Sequence, residues 1–287
     1  MPSEPIYIRY WRRLPVLVRA ILSGFFVYAI IGLFAWMAIV VTLPAPWSLI
    51  FMVGVLWIYV KFFSGNWGPN NSLEARREMF RNVKLSAKIW QWSLISAVLI
   101  VAVIQSGLVI TFRVIEFPAE AWSLGFDYSA VPMWIVWLYI LLMASVAGIT
   151  EEMGFRGYMQ VPLEKRYGPT IGIMVSSLMF MALHLNQAWA PVVLLHLFLI
   201  GVMWGVLAYG SGSLIPGIIS HTITDIFNFS YWWTDIAGVF DKPTIVVTGI
   251  DSHFIVWIVV FAVSGTLSIW TVLRTRNART TRVNHNP

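Results

Sequence analysis

Two adjacent carboxylates and a guanidinium follow a long uncharged run. Residues 133–150 contain no charged side chain, and Glu151, Glu152 and Arg156 come directly after them in the stretch EEMGFR. Residues four apart share a helix face, so Glu152 and Arg156 can neutralise each other. Glu151 points about 100° away on the same helix and needs another partner. Charges inside a bilayer cost at least ~2.5–3.5 kcal/mol each, so they tend to be paired and functional.

Two histidines and an aspartate interrupt later apolar runs. His184 follows Phe180 by four residues in FMALH, and His221 precedes Asp225 by four residues in HTITD. This spacing places the members of each pair on one helix face. A carboxylate beside an imidazole fixes the tautomer of the ring. His196 has no polar neighbour at this spacing, so a structural role is predicted for it.

A glutamate and two histidines from three helices can activate water against a carbonyl group. A carboxylate withdrawn from water can act as a general base, one histidine can share the proton transfer, and the other can donate to an oxyanion. This version needs no cofactor. Glu151, His184 and His221 can instead hold zinc, because two histidines, a glutamate and a water form a known catalytic set. Both versions predict amide hydrolysis within the membrane.

For each pair taken alone, a structural role is an alternative to a catalytic one. A Glu–Arg pair at the end of a span can be an interfacial anchor, and a membrane histidine can make a hydrogen bond between helices. Three such pairs in one chain favour chemistry over anchoring.

The composition requires that these residues be positioned by membrane helices. The chain has 287 residues, of which 59% are hydrophobic and 11% charged, and its mean hydropathy is +0.76. Soluble domains are about a quarter charged. The absence of cysteine excludes disulfides and thiolate metal sites. The net charge of +6 is explained by basic residues beside apolar spans, so no nucleic-acid partner is predicted.

Eight apolar stretches are long enough, or nearly so, to cross a bilayer. The predicted fold is therefore an all-α, polytopic membrane helix bundle, with residues 1–287 forming a single integral membrane domain. Residues 1–130 contribute N-terminal spans, 131–231 form the core with the three motifs, and 253–273 form the last span. The predicted spans are 20–43, 45–63, 89–111, 132–150, 169–187, 191–210, 214–231 and 253–273.

The distribution of charge orients the predicted bundle. Seventeen of the 19 basic residues fall in the tails and loops of one side. The positive-inside rule then places both termini in the cytoplasm of a protein of the plasma (cytoplasmic) membrane. The aromatic and acidic loop 231–252 lies on the opposite side, where an interfacial anchor is favoured over a lid.

The three motifs together resemble a known family. EEMGFR fits E-E-x-x-x-R, FMALH fits F-x-x-x-H, and HTITD fits H-x-x-x-N/D. In order and spacing, residues 130–230 resemble the CPBP family, which contains CAAX proteases and bacteriocin-processing or immunity proteins and is also called Abi. The resemblance implies an eight-helix intramembrane protease similar to the type II CAAX prenyl endopeptidases.

The resemblance also implies roles for the site residues. Glu151 would activate water with help from His184, and His221 and Asp225 would occupy the oxyanion-stabilising positions. Glu152 and Arg156 would hold the helix that carries Glu151. An ionised Asp225 accepts hydrogen bonds only, so it cannot stabilise an oxyanion directly. Protonation of this aspartate, orientation of His221 and a metal site stay open as explanations.

The expected function is an intramembrane endopeptidase whose site opens towards the cytoplasmic half of the bilayer. Its partners would be membrane-bound substrates: a prenylated C-terminus, a peptide precursor or a membrane protein. A non-enzymatic immunity or scaffold protein of the same fold is the main alternative, and a proton-relay transporter is another.

One feature of the spans conflicts with a shared site. At 1.5 Å per residue, His221 lies roughly 10 Å from the start of its predicted span, and His184 lies roughly 22 Å from the start of its own.

Overall fold

A computed structural model describes residues 6–122, 131–185 and 191–285, and the regular structure of this part is entirely helical. Three π-helical segments, Ala29–Ala35, Glu152–Met159 and Asn228–Trp232, continue α-helices. The α-helices are α1 Ile6–Arg13, α2 Val16–Tyr28, α3 Trp36–Thr42, α4 Trp47–Phe63, α5 Asn70–Met79, α6 Ala87–Val114, α7 Ala119–Trp122, α8 Met133–Glu151, α9 Gln160–Tyr167, α10 Pro169–Leu183, α11 Pro191–Ser211, α12 Ile215–Phe227, α13 Ile245–Thr248 and α14 Ser252–His285.

Five helical stretches of the described part are long and apolar enough to cross a membrane. They confirm an all-helical integral membrane protein, while the count of eight crossings and the side of the termini stay predictions. Two shorter apolar helices, α4 and α10, match the predicted spans 45–63 and 169–187, although 186 and 187 lie outside the described residues. The five stretches are Val16–Val40, Ala87–Val114, Met133–Tyr167, Pro191–Ser211 and Ser252–Thr280.

The fourth predicted span, 132–150, ends too early. Helix α8, the π-helical segment Glu152–Met159 and α9 form one continuous helix of 35 residues, Met133–Tyr167. The two glutamates and Arg156 therefore lie inside a helix and are buried, so the prediction that they stand at the end of a span was wrong. Hydropathy falls at these residues, but Glu152 has a hydrogen-bond partner on α12 and Arg156 has one on α11. π-helical turns occur frequently at functional sites.

Two glycines bring α2 into close contact with the π-helical segment. A Cβ built on Gly154 would lie 2.7 Å from the carbonyl oxygen of Gly24, and one built on Gly24 would lie 2.8 Å from that of Gly154. Small residues allow membrane helices to approach each other in this way. The contact fixes the segment that carries Glu152 and Arg156 against the first long helix.

We expect Gly154→Ala to destabilise the protein by about 1–3 kcal/mol, because the added methyl group forces two backbones apart. Thermal unfolding in detergent measures the change. Gly54→Ala and Gly265→Ala are matched controls, since a Cβ at either helical position meets no atom within 4 Å. Equal unfolding temperatures for Gly154→Ala and the controls would contradict this account of the packing.

His184 and His221 line one cavity despite their different distances from the starts of their spans, and the turn before α12 explains the depth of His221. Leu214 precedes this helix and is fully buried, and its Cδ1 lies 3.3 Å from a Cβ built on Gly157. Helix α12 therefore begins beside the middle of the helix Met133–Tyr167 and well inside the bundle. His221 comes seven residues after Leu214, and Glu151 comes six residues before Gly157. The side chains of His221 and Glu151 therefore lie at the same depth in the bundle.

The contacts between helices place the beginning of α2 and the end of α14 at one end of the bundle. A Cβ on Gly24 would meet Met159 and one on Gly32 would meet Thr150, so α2 runs antiparallel to Met133–Tyr167. At the turn between α11 and α12, Arg279 of α14 donates to the carbonyl oxygen of Tyr209 at 2.5 Å.

A buried arginine fastens the loop before α14 at the opposite end. The guanidinium of Arg113 donates to both carboxylate oxygens of Asp251 at 3.1 and 2.9 Å, to Thr248 Oγ1 at 2.7 Å and to the carbonyl oxygen of Pro243 at 2.7 Å. The hydrogen bonds from Arg113 lower the pKa of Asp251 to about 2, so this carboxylate is charged near neutral pH. The clamp holds the end of the predicted anchor loop 231–252 on α6.

Candidate active site

Glu152 lies at the centre of a buried polar cluster. Its Oε1 is 2.9 Å from Nη1 of Arg156 and accepts a hydrogen bond from Nδ1 of His221 at 3.0 Å. Glu152 and Arg156 are both 0% exposed. The predicted pairing at i and i+4 is confirmed, and it persists although the two residues lie in a π-helical segment. Glu152 also connects its helix to α12, a contact that the sequence did not predict.

Arg156 is held by two aromatic rings as well as by Glu152. Its guanidinium carbon lies 4.5 Å from the ring centroid of Phe180 and 5.3 Å from that of Trp204. Nη2 donates to the carbonyl oxygen of Gly201 at 3.3 Å. A desolvated cation over an aromatic face gains about 2 kcal/mol, which offsets part of the cost of burial.

His221 is oriented by Glu152 and not by its predicted partner. Because Nδ1–H donates to Glu152, the other nitrogen of a neutral ring, Nε2, is an acceptor. Nε2 lies 3.5 Å from Oδ2 of Asp225 and 3.9 Å from Oε2 of Glu151. Trp204 stacks on the ring with centroids 3.8 Å apart and an interplanar angle of 18°. The prediction that Asp225 fixes the tautomer of His221 is corrected here, although the two share a helix face as expected.

Glu151 faces a cavity next to His221. Its side chain is 10% exposed, and its Oε2 is buried without a hydrogen-bond partner among the described residues. Buried polar atoms in proteins nearly always have a partner, either protein or water. A carboxylate oxygen in this position can bind a water molecule and remove its proton.

His184 lines the same cavity from the end of α10. Its Nδ1–H donates to the carbonyl oxygen of Phe180 at 2.9 Å, so Nε2 of the neutral ring is an acceptor. The Phe180 ring stands between the histidines, 4.9 Å from His184 and 6.0 Å from His221. Within the described residues no hydrogen bond joins His184 to Glu151 or His221. The arrangement explains the phenylalanine of F-x-x-x-H, which positions one histidine and packs against the other.

The cavity has a volume of about 170 Å³, which is enough for several waters. It extends from the level of Glu151 towards the last turns of α12, away from the end of the bundle that holds the beginning of α2 and the end of α14. The cytoplasmic termini and the opening of the site towards the cytoplasmic half of the bilayer both stay predictions. The lining residues include Glu151, Phe180, His184, Trp204, His221, Thr224, Asp225, Asn228, Phe229 and Trp233.

Comparison with known families supplies independent evidence on this segment. The family model described as "Type II CAAX prenyl endopeptidase Rce1-like" matches residues 132–227. These residues contain all three motifs, from Glu151 to Asp225. Over these residues the chain is similar to the CAAX protease family. The first 131 residues lie outside the match, and neither the curated proteins nor the solved structures gave a match to the chain.

The candidate site does not present the proposed zinc ligands as a set. Among the described residues, no three His, Asp or Glu side chains are grouped so that they could hold a metal ion. Glu151 and His221 approach each other at 3.9 Å, while His184 is directed by its bond to Phe180. Zinc on Glu151, His184 and His221 does not fit this geometry, and no catalytic step is derived through a metal.

Two residues that support the candidate site were not predicted. Trp204 donates from Nε1 to Ser220 Oγ at 3.1 Å, and that hydroxyl donates to the carbonyl oxygen of Ala97 at 3.0 Å. A Cβ on Gly217 would lie 3.0 Å from Oε2 of Glu152, so only glycine lets α12 approach so closely. The segment 201–225 is rich in glycine and carries one tryptophan, but its sequence does not tell which helix they face.

Proposed function

We propose that the protein is an intramembrane endopeptidase that uses Glu151 to activate water. The observation that carries the proposal is the carboxylate oxygen of Glu151, which is unpartnered within the described residues, in a buried cavity beside His221. The family match supports a CAAX-type protease, and the apolar helices support a membrane-bound substrate. The proposed partners are polypeptides of the plasma membrane, foremost those with a prenylated C-terminus.

In the proposed reaction, Glu151 takes a proton from water as the water oxygen attacks the carbonyl carbon of the substrate. A C–O bond forms and the carbonyl π electrons move to oxygen, which becomes an oxyanion. The oxyanion then collapses, the C–N bond breaks, and the proton passes to the leaving amine from Glu151 or through Nε2 of His184. The products are a carboxylate and an amine.

Glu152, Arg156 and His221 support this reaction by position and charge. Arg156 keeps Glu152 in place, and Glu152 holds the imidazole of His221 with Nε2 towards Glu151 and Asp225. Because these groups are already in place, no free energy is needed to reorient them during the reaction. The Oδ2 of Asp225 lies 3.5 Å from Nε2 of His221, and Asp225 is proposed to act on that nitrogen from the cavity side without setting the tautomer of the ring.

The decisive experiment is hydrolysis of a quenched fluorescent farnesylated peptide by the purified protein in detergent. The same peptide without the farnesyl group is the matched substrate control. We expect cleavage of the farnesylated peptide, and we expect it to persist in the presence of a zinc chelator. Loss of activity with chelator that added zinc restores would replace the glutamate mechanism with the zinc mechanism.

Failure to cleave either peptide, or peptides with other membrane anchors, would instead favour the non-enzymatic scaffold protein. In that case Glu151→Gln would leave the cellular phenotype of the protein unchanged.

A further inference from the structure

The hydrogen bond to Glu152 uses the one N–H of a neutral His221 ring, so this ring alone does not complete an oxyanion site. Both ring nitrogens of this histidine face carboxyl groups, namely those of Glu152, Glu151 and Asp225. An ionised carboxylate accepts hydrogen bonds and cannot donate one. A tetrahedral intermediate requires donors placed where its negative charge develops. When it is ionised, Asp225, at a position that the family resemblance assigns to this role, cannot supply such a donor.

Two neutral donors lie on the adjacent face of α12 and line the same cavity. Thr224 and Asn228 are four residues apart, and both belong to the wall that contains Glu151. Thr224 is 1% exposed, and its Oγ1 has no hydrogen-bond partner among the described residues. Hydroxyls in helices usually donate to the carbonyl oxygen four residues earlier, as Ser230 does to Ile226. The hydroxyl of Thr224 is instead available to a ligand.

The side-chain amide of Asn228 is oriented by a chain of hydrogen bonds that starts at Trp232. An indole N–H can only donate, and Nε1 of Trp232 lies 2.9 Å from Oε1 of Gln105. This contact fixes the amide of Gln105, whose Nε2 then donates to Oδ1 of Asn228 at 3.1 Å. With its oxygen turned to Gln105, Asn228 has its Nδ2 on the other side of the amide, where the described residues give it no hydrogen bond.

We propose that Thr224 Oγ1 and Asn228 Nδ2 bind the carbonyl oxygen of the scissile peptide and stabilise the oxyanion that forms there. Both groups donate hydrogen bonds without losing their protons, so the balance of the hydrolysis is unchanged. Gln105 is a positioning residue that acts through Asn228. This assignment rests on the proposed function, and it adds two neutral donors to the positions of His221 and Asp225 that the family resemblance assigns to the oxyanion.

The test uses full-length protein and the farnesylated peptide, with kcat and KM measured separately. Thr224→Val and Asn228→Asp keep the size of the side chain and remove the donor, so each should lower kcat by about 10²–10³-fold. Thr224→Ser retains a hydroxyl and should restore most of the activity. Thr266→Val and Asn71→Asp make the same chemical changes away from the cavity and should leave kcat and KM unchanged.

Gln105→Glu tests the positioning role. A carboxylate at 105 still accepts from Trp232 but repels Oδ1 of Asn228, so the amide should turn and kcat should fall with little change in KM. A purely structural role would lower the thermal unfolding temperature and leave the kcat of the folded protein unchanged. Size-exclusion chromatography selects folded protein for each measurement.

The outcomes separate this proposal from the proposed function. Wild-type kcat in folded Thr224→Val and Asn228→Asp, with activity lost in Glu151→Gln, overturns the donor pair alone. A wild-type rate in Glu151→Gln overturns the proposed role of Glu151 as the base. A fall in kcat in both donor variants, with recovery in Thr224→Ser, supports the donor pair.

Discussion

Glu151→Gln is expected to reduce kcat for peptide hydrolysis by about 10²–10⁴-fold, the usual contribution of a general base. The amide has nearly the same shape as the carboxyl group but cannot accept the proton of the attacking water. We expect the fold to persist, because Oε2 of Glu151 has no hydrogen-bond partner among the described residues that the substitution would remove. Single-turnover hydrolysis of the farnesylated peptide and thermal unfolding measure the two effects separately.

Glu78→Gln is the matched control for this prediction. Glu78 pairs with Lys165 at the surface, and its side chain is 47% exposed. The same chemical change there should leave both hydrolysis and stability within experimental scatter, since exposed ion pairs contribute about 0–1 kcal/mol. A Glu151→Gln protein with wild-type kcat would move the role of base to Glu152 or Asp225, which are the other carboxyl groups of the cluster.

The pairs within one helix were predictable from the sequence, because helical periodicity alone decides which side chains share a face. Glu152 with Arg156 and His221 with Asp225 both lie as their spacing of four requires. The family motifs then located the site between three helices, and the family match covers those helices. Local spacing and resemblance therefore predicted the residues of the candidate site, whose roles stay a proposal.

The contacts between helices were not predictable, because they depend on rotation and depth. Nothing in the spacing tells that Glu152 approaches Nδ1 of His221 or that Trp204 stacks on that ring. The rotation that makes these contacts depends on glycines such as Gly217, where a Cβ would press on Glu152. Glycine positions indicate close approach, but they do not identify the helix that approaches.

The direction in which the cavity extends was also not predictable from the sequence. The predicted fourth span, 132–150, ends just before the first charged residue. This prediction placed Glu151 near the membrane surface. In the structure the helix continues to Tyr167, so Glu151 lies near its middle and its cavity faces Asn228 and Trp233. Hydropathy reports the transfer of single side chains to lipid, and it misses polar groups that are neutralised inside a bundle.

Arg156→Met is expected to cause the largest loss of stability, about 3–5 kcal/mol, because it leaves the carboxylate of Glu152 buried without its cation. The double variant Glu152→Met with Arg156→Met removes both charges and should regain most of that stability, since a buried ion pair can be replaced by apolar side chains of similar volume. The midpoint of thermal unfolding in detergent compares the two variants with the wild type. Lys165→Met, at a pair with side chains 55% and 47% exposed, is the control and should change stability little.

The double variant separates stability from catalysis. Without Glu152, Nδ1 of His221 loses its acceptor, and its ring is no longer fixed relative to Glu151. We therefore expect a folded protein whose kcat is reduced at least ~10²-fold, in line with the loss of an orienting partner. If the double variant hydrolysed the peptide at the wild-type rate, the Glu152–Arg156 pair would be an element of folding only. If it stayed as unstable as Arg156→Met, the single loss would come from the missing contacts of the guanidinium with Phe180 and Trp204, and not from an unpaired charge.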